Sequence, residues 1–351
     1  MSIEKHEGTL EPMVEKTMMD RQEANRVVSQ VEAEINKVIV GQQWLVRRLL
    51  IGLLAVIPYS FRRGEEERSG YGHILLEGVP GLAKTLTIST LAATIDARFQ
   101  RIQFTPDMLP ADIIGTKIYE SSAGTFRTEK GPIFANVILA DEINRATQKT
   151  QSALLEAMQE RQVTIGEQTF HLDEPFWVLA TQNPVEQEGV YPLPEAQVDR
   201  FALKIHVDYP SHDDELEMLR RHLTETTIRR IIVPETVLHL RALASKIYVD
   251  PKIREYIIRM VRATRPGPLQ AIPVVNEMVQ NGASPRSAQH LLAVVRSTAF
   301  LDGRDYVLPT DVKAIAFDAM RHRLIRTVRA EAEDISADEI LGEILRKAPV
   351  P

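Results

Sequence analysis

Short apolar runs separated by helical or loop stretches mark the first 210 residues of the chain. Five such runs cover residues 72–77, 99–104, 136–140, 176–181 and 201–207. Runs of this length are typical of buried parallel strands, and their alternation with helices predicts an α/β sheet. Two weaker alternations, Ile114–Phe126 around Gly124 and Gln162–Leu172 around Gly166, predict β-hairpin inserts.

A different pattern covers the two ends of the chain. Residues 1–30 are polar and charged without a sustained apolar stripe, which predicts a mobile arm or a surface helix. A helical pattern begins at Val31, so the α/β domain is expected over 31–210. Beyond Tyr209 only helical patterns remain, which predicts a smaller all-α domain over 211–351. Its predicted helices are Asp213–Leu223, Glu235–Ser245, Lys252–Thr264, Ser287–Leu301 and Asp311–Thr327.

Composition narrows the class of protein. A length of 351 residues, with 44% hydrophobic and 26% charged residues, fits a globular protein of two domains. The formal charge of −6 disfavours a nucleic-acid partner, and the lack of cysteine excludes disulfides and thiolate chemistry. The longest apolar run, Leu49–Ile57, is about half of the ~18 residues that a membrane span needs. With no signal peptide visible at the start, we expect a cytoplasmic protein.

A glycine-containing loop follows the first apolar run. Its sequence is GVPGLAKT, Gly78 to Thr85, and a helical pattern continues it. Strand, loop and helix in this order are typical of a P-loop, whose backbone N–H groups bind phosphate at a helix N-terminus. Lys84 is expected to reach the β- and γ-phosphates and Thr85 to bind Mg²⁺ through its hydroxyl. Ala83 stands where the usual motif has glycine, and an accidental turn before a helix is the alternative.

Polar groups at the ends of later runs add candidate chemistry. Asp141 and Glu142 close the run 136–140. Asp141 suits a carboxylate just outside the ligands of Mg²⁺, and Glu142 suits a base for the attacking water, or the pair caps a helix. Asn183 follows the run 176–181 and suits a neutral group that positions the γ-phosphate or the water, or an Asn-Pro turn. Arg200 precedes the last run and suits a guanidinium for a neighbour's γ-phosphate, or a partner for a nearby carboxylate.

The ordered string of motifs resembles the AAA+ ATPases, and more narrowly the MoxR family. The stretches that carry this resemblance are GVPGLAKT, FTPDMLPADIIG, GPIFANVILADEINRA, ALLEAMQERQVTIG, FWVLATQNP, LPEAQVDRF, GASPRS and DGRDYVLPTDV. Family members carry Ala-Lys-Thr at the end of the P-loop, which removes Ala83 as an objection. The resemblance implies a P-loop AAA+ sheet with hairpin inserts followed by a helical lid.

The resemblance also implies roles for individual residues. Asn183 would be the first sensor, and Arg200 the arginine finger inserted into the next subunit. Arg286 would be the second sensor, reaching from the lid to the γ-phosphate of its own subunit, and Arg145 is a weaker candidate for the interface. The expected nucleotide-binding residues are Val40, Gly41 and Gln42 against adenine, and Gly78, Pro80, Gly81, Leu82, Ala83, Lys84, Thr85 and Leu86 around the phosphates.

The function implied is ATP hydrolysis, with Mg²⁺, by a homo-oligomeric ring, usually of six, that remodels or matures protein complexes. Its implied partner is a protein client, commonly with a von Willebrand factor A domain. A nucleic-acid-dependent ring motor is the strongest alternative, but the hairpin Gln162–Leu172 offers only His171 and Glu167 as ionisable groups. A nucleotide-gated binding protein without turnover would need neither Glu142 nor Arg200. GTP is disfavoured because the guanine-reading N/TKxD motif is missing.

Overall fold

A computed structural model of the protein describes residues 19–58, 69–79, 81–122, 124–183, 190–221, 227–268 and 272–351. The helices are α1 Arg21–Ile35, α2 Gln43–Leu54, α3 Lys84–Thr94, α4 Pro110–Ile114, α5 Gln148–Glu160, α6 Glu195–Val198, α7 His212–Arg221, α8 Pro234–Ser245, α9 Pro251–Ala263, α10 Pro273–Met278, α11 Pro285–Leu301, α12 Pro309–Met320, α13 Val328–Ala332 and α14 Ala337–Lys347. The strands are β1 Val56–Ile57, β2 Gly70–Tyr71, β3 Ile74–Glu77, β4 Phe99–Gln103, β5 Gly115–Glu120, β6 Thr125–Lys130, β7 Val137–Asp141, β8 Gln162–Ile165, β9 Gln168–His171, β10 Trp177–Gln182, β11 Leu203–His206, β12 Val279–Asn281 and β13 Ile325–Arg326.

The predicted α/β sheet is confirmed, and all five predicted strands belong to it. They are parallel and lie in the order β11-β3-β10-β7-β4. Ile74 of β3 pairs with Leu203 on one side and Leu179 on the other, which fixes the register at the centre. β3, β7 and β10 are buried along almost their whole length, as helices on both faces require. The carboxyl ends of these strands therefore meet at one edge of the sheet.

Both predicted hairpins are also present. β5 pairs with β6, and β8 pairs with β9, each antiparallel. The turn of the second hairpin contains Gly166 at φ +63°, and a Cβ there would lie 2.5 Å from the Lys117 side chain of β5. The left-handed backbone angle favours glycine where the two hairpins touch, whereas the flexible end of Lys117 can move aside.

The amino-terminal prediction needs correction. The helix expected from Val31 begins at Arg21, while residues 1–18 of the predicted arm lie outside the described residues. Ala24, Val28, Val31 and Ile35 are all buried and follow one another at helical spacing. This stripe was missed because its first members are small and stand among charged residues.

The helical region after residue 210 also differs from its prediction in detail. The helix predicted over Asp311–Thr327 ends at Met320, after which a 3₁₀ turn Arg321–Arg323 leads into β13. β12 and β13 form a two-stranded antiparallel pair in a region predicted to be helical throughout. Helices α10 and α14 were not predicted either, because α10 is short and α14 lies close to the chain end.

One apolar core joins the sheet to the helical region. Its buried members include Ile74 of β3, Leu49 of α2, Leu291 of α11 and Ile340 of α14. Helix α11 packs against α2, and α12 packs against β11. The lid helices therefore cover the β11 side of the sheet.

Candidate functional site

The P-loop and the strand-end polar groups line one cleft at the carboxyl edge of the sheet. The cleft has a volume of about 410 Å³, within the usual range for a small-ligand site. Its lining residues are Gly78, Gly81, Leu82, Ala83, Lys84, Thr85, Leu86, Arg101, Asp141, Glu142, Thr181, Gln182 and Asn183. The cleft thus brings together the predicted P-loop residues, Asp141, Glu142 and Asn183, except for Pro80, which lies outside the described residues.

Two backbone constraints shape the P-loop. A Cβ on Gly78 would lie 2.6 Å from the Val207 carbonyl oxygen, so only glycine fits between β3 and the end of β11. Ala83 has left-handed backbone angles, φ 52° and ψ 18°, which cost a residue with a Cβ about 1–2 kcal/mol. Lys84 begins α3, and its Nζ donates to the Gly78 carbonyl at 2.8 Å. Partial burial lowers the pKa of Lys84, which the carboxylates of Asp141 and Glu142 oppose.

A threonine on the neighbouring strand bonds to both acidic residues, to the carboxylate of Asp141 and to the backbone of Glu142. The Thr181 hydroxyl accepts a hydrogen bond from the Glu142 N–H at 2.8 Å and donates to Asp141 Oδ1 at 2.6 Å. Glu142 has left-handed angles, φ 56° and ψ 48°, which turn the chain sharply as β7 ends. Thr181 was not predicted as a site residue, although it stands immediately before Gln182-Asn183 in the sequence.

Two further side chains in or beside the cleft come from β4 and were also missed. Arg101 Nε donates to Asp141 Oδ2 at 2.9 Å, and Gln103 Nε2 donates to Glu142 Oε2 at 2.7 Å. Arg145 Nε lies 3.1 Å from the same Glu142 oxygen. The signal for the β4 residues was their polar character in an otherwise apolar strand run, at positions next to the carboxylates across the sheet.

The donor set is suitable for Mg²⁺. Among the described residues no group of three or more His, Asp or Glu could hold a metal by itself. Mg²⁺ commonly takes one or two protein carboxylates together with phosphate oxygens and waters, which the Thr85 hydroxyl and the Asp141 carboxylate can complement. Both Asp141 oxygens already accept hydrogen bonds, from Thr181 and Arg101, so this carboxylate suits an outer position, bonded to a metal-bound water.

The residues expected against adenine lie beside the P-loop. Val40 and Gln42 are buried, and Gln42 Nε2 donates to the Leu82 carbonyl at 3.0 Å. A Cβ on Gly41, at φ +74°, would overlap the Asp214 side chain of α7. The segment is therefore held between the P-loop and the start of α7, and its contact with adenine stays a prediction.

Arg200 and Arg286 lie together at a different place. They line a small second cavity of about 90 Å³ with Tyr71, His73 and His290. Tyr71 and His73 precede β3, so this cavity is at the amino edge of the sheet. β3 alone spans about 13 Å at about 3.3 Å per residue, and the P-loop lies beyond its other end. In this structure Arg286 therefore lies away from the cleft of its own chain, because α11 begins at the opposite edge of the sheet, and its contact with a nucleotide stays a prediction.

A buried ion pair underlies this second group. Asp199 Oδ1 accepts from Arg323 Nε at 2.7 Å, and Asp199 Oδ2 lies 4.0 Å from Arg286 Nη1. Arg323 Nη2 also lies 2.7 Å from His290 Nδ1. Burial, and then the Arg323 charge, hold the pKa of His290 well below its usual value, so the ring is neutral and accepts this hydrogen bond. Arg323 was not identified from the sequence, where RHRL carries no recognisable motif.

No helix in the described ranges is long and apolar enough to cross a bilayer.

Comparison with known protein families gives two matches. The sequence model of the ATPase family associated with various cellular activities (AAA) matches residues 73–203, and that of an AAA lid domain matches residues 273–344. The chain is 46% identical to "Chaperone MoxR1" of Mycobacterium tuberculosis over 319 residues, which cover 91% of this chain and 81% of that protein.

Other relatives agree with this assignment. "Protein MoxR" of Methylorubrum extorquens is 31% identical over 312 residues, which cover 84% of this chain and 86% of that protein. A crystal structure from Cytophaga hutchinsonii, of a protein named as a candidate ATPase, superimposes with a TM-score of 0.85 at 48% identity. The superposition covers 94% of this chain and 97% of the Cytophaga chain. The chain therefore belongs to the MoxR family of AAA+ ATPases.

Proposed function

We propose that this chain is one subunit of a homo-oligomeric ring, of six, that hydrolyses ATP at sites shared between neighbours. The observation that carries the proposal is the separation of the two groups of site residues. Lys84, Asp141 and Glu142 lie at the carboxyl edge of the sheet, while Arg200 and Arg286 lie at the amino edge. A ring with the two edges of successive subunits in contact would bring both groups to one nucleotide.

The cleft supports binding of ATP through its phosphates. The P-loop N–H groups and Lys84 would bind the β- and γ-phosphates, since Lys84 can exchange its bond to the Gly78 carbonyl for a phosphate oxygen. The Thr85 hydroxyl, and Asp141 through a water, would hold a Mg²⁺ ion, which would supply positive charge against the phosphates. Asn183 would orient the attacking water beside the γ-phosphate.

Glu142 is the proposed base for the reaction. Its carboxylate would take a proton as the water oxygen bonds to the γ-phosphorus and the bond to the β,γ-bridging oxygen breaks, giving ADP and phosphate. Gln103 and Arg145 now donate to its Oε2 atom and would orient the carboxylate for that step. Arg200 of the next subunit, with Arg286 beside it, would stabilise the charge that develops on the transferred group.

We extend the proposal to remodelling of a protein client, in keeping with the chaperone name of the mycobacterial relative. The hairpin β5–β6 supports a client surface because Tyr119 and Phe126 pair across its strands at 5.2 Å and are both exposed. Exposed aromatic pairs of this kind often mark protein contact sites. A client with a von Willebrand factor A domain is the partner that the family resemblance implies.

Mixing two inactive variants tests the shared site. Arg200→Ala lacks the donated arginine and Glu142→Gln lacks the base, so each alone should release phosphate at least ~10²-fold more slowly than the unmodified protein. In a mixed ring, some interfaces combine Glu142 of an Arg200→Ala subunit with Arg200 of a Glu142→Gln subunit. Such an interface contains a complete site. Phosphate release should return on mixing and rise with the fraction of such interfaces.

Two results would contradict the proposal. Mixed rings, verified by native mass spectrometry, that stay inactive would show that Arg200 does not act across the interface. Phosphate release that requires added DNA or RNA would favour the nucleic-acid motor instead.

A further inference from the structure

Side chains of the lid hold the short segment that carries Arg200, and Arg323 makes most of their contacts with it. This segment, residues 199–202, connects α6 to β11. Arg323 Nη2 donates to the Phe201 carbonyl at 2.7 Å and to the Asp199 carbonyl at 3.2 Å, and Nη1 donates to the Ala202 carbonyl at 3.4 Å. One guanidinium therefore fixes the backbone on both sides of Arg200.

The same guanidinium is linked, through Asp199, to the start of the helix that carries Arg286. Arg323 Nε donates to Asp199 Oδ1 at 2.7 Å. The other oxygen of that carboxylate accepts from Ser284 Oγ at 3.1 Å, and Ser284 caps α11 two residues before Arg286. Asp199 thus links the segment carrying Arg200 to the helix end carrying Arg286.

Because Arg323 is buried, its ion pair with Asp199 is poorly explained by a contribution to stability alone. The Arg323 side chain is 1% exposed, and a buried ion pair often contributes no more to stability than apolar side chains of similar volume. What an arginine adds is fixed direction, because its planar group donates several hydrogen bonds at set angles. Arg323 donates its hydrogen bonds to the 199–202 segment, to the Ala319 carbonyl in the lid and to neutral His290.

We propose that the Asp199–Arg323 pair is a positioning device that sets Arg200 and Arg286 as one unit for the neighbouring subunit's nucleotide. Neither Asp199 nor Arg323 would contact ATP. The inference rests on the proposed function, because it assumes that the two arginines act across the interface. It adds that the lid, through Arg323, determines where they point.

Mixing Arg323→Met with other variants tests which part of the shared site this substitution damages, its own cleft or the arginines donated to the neighbour. The variant should bind ATP with an unchanged KM and lose about 10²-fold in kcat, the cost of displacing a positioned group by about 1 Å. Mixed with Glu142→Gln, it should regain activity, since its own cleft is intact and its neighbour supplies Arg200. Mixed with Arg200→Ala, it should stay inactive, because both variants fail to donate the arginines.

Arg321→Met is the matched control. Arg321 belongs to the same 3₁₀ turn and pairs with Asp318 and Asp338, and its third contact is the Lys204 carbonyl. It should lose stability on substitution but keep kcat. Thermal unfolding of both variants separates loss of fold from loss of activity. If Arg323→Met does not fold, Arg323→Lys keeps the charge with fewer donors and should show the same mixing pattern with a smaller loss.

The outcomes are distinct. Restored activity in the mixture of Arg323→Met with Arg200→Ala, and none with Glu142→Gln, would overturn the positioning role, because the damage would then lie in the variant's own cleft. Unchanged kcat in folded Arg323→Met would also overturn it. If the reference mixture of Arg200→Ala with Glu142→Gln stays inactive, it is the shared site that is wrong.

Discussion

Replacing Thr181 with valine removes one hydroxyl that bonds to both acidic residues of the cleft, to the carboxylate of Asp141 and to the backbone N–H of Glu142. Thr181 is 2% exposed, so little water reaches the position of the hydroxyl. The bond from the Glu142 N–H is worth about 1 kcal/mol, and the bond to the charged Asp141 about 1.5–3 kcal/mol. Valine also puts a methyl group where the hydroxyl had partners at 2.6 and 2.8 Å. Thr181→Val should therefore lower the free energy of unfolding by about 2–4 kcal/mol.

The same change should slow hydrolysis. Without the Thr181 hydroxyl, the left-handed turn at Glu142 loses its anchor, and displacement of the base by about 1 Å costs about 10²-fold in kcat. Urea unfolding at fixed protein concentration measures the first effect, and steady-state phosphate release measures the second. Thr181→Ser keeps the hydroxyl and is the control, which should retain most of the activity.

The reasoning would be refuted by a valine variant that unfolds within about 0.5 kcal/mol of the unmodified protein, the usual scatter for substitutions without a structural role. A serine variant as slow as the valine variant would also refute it, because the methyl group and not the hydroxyl would then be responsible.

Three further substitutions examine the cleft. Lys84→Ala should abolish ATP binding and leave the fold intact, since Lys84 lines the cleft where the P-loop meets α3 and is not part of the core. Nucleotide titration and circular dichroism check this. Glu142→Gln should bind ATP normally and hydrolyse it about 10²–10⁴-fold more slowly, and a parallel loss of affinity would instead indicate a binding role. Gly78→Ala should cost about 1–3 kcal/mol in thermal unfolding because its Cβ meets the Val207 carbonyl. Gly342→Ala, with open space around it in α14, should stabilise by about 0.5–1 kcal/mol, and equal effects would contradict the packing argument.

Local patterns were enough to predict the five strands of the central sheet and the P-loop. Residues 136–140 and 176–181 are apolar because β7 and β10 are covered on both faces, and that condition is visible along the chain. The P-loop is likewise a local signal, since its glycines and Lys84 are neighbours in sequence.

The missed site residues depend on which strands become neighbours. Thr181 bonds to Asp141 and Glu142 because β10 lies beside β7, and Arg101 reaches Asp141 because β4 lies on the other side. These strands are far apart in sequence, and the sheet order is not readable from any one of them. The same limit applies to Arg286: the motif GASPRS identifies the residue, but only the packing of α11 shows which edge of the sheet it occupies.

The core shared by the sheet and the lid helices has a consequence for how the protein moves. Leu49 of α2, Ile74 of β3 and Leu291 of α11 belong to the same buried cluster, so turning the lid against the sheet would shear contacts that are packed as densely as a crystal. A fragment ending near residue 210 would expose the faces of α2 and β11 that α11 and α12 cover, and would be prone to aggregate. Sheet and lid are thus joined through one shared core, so displacement of either against the other would disturb buried surface.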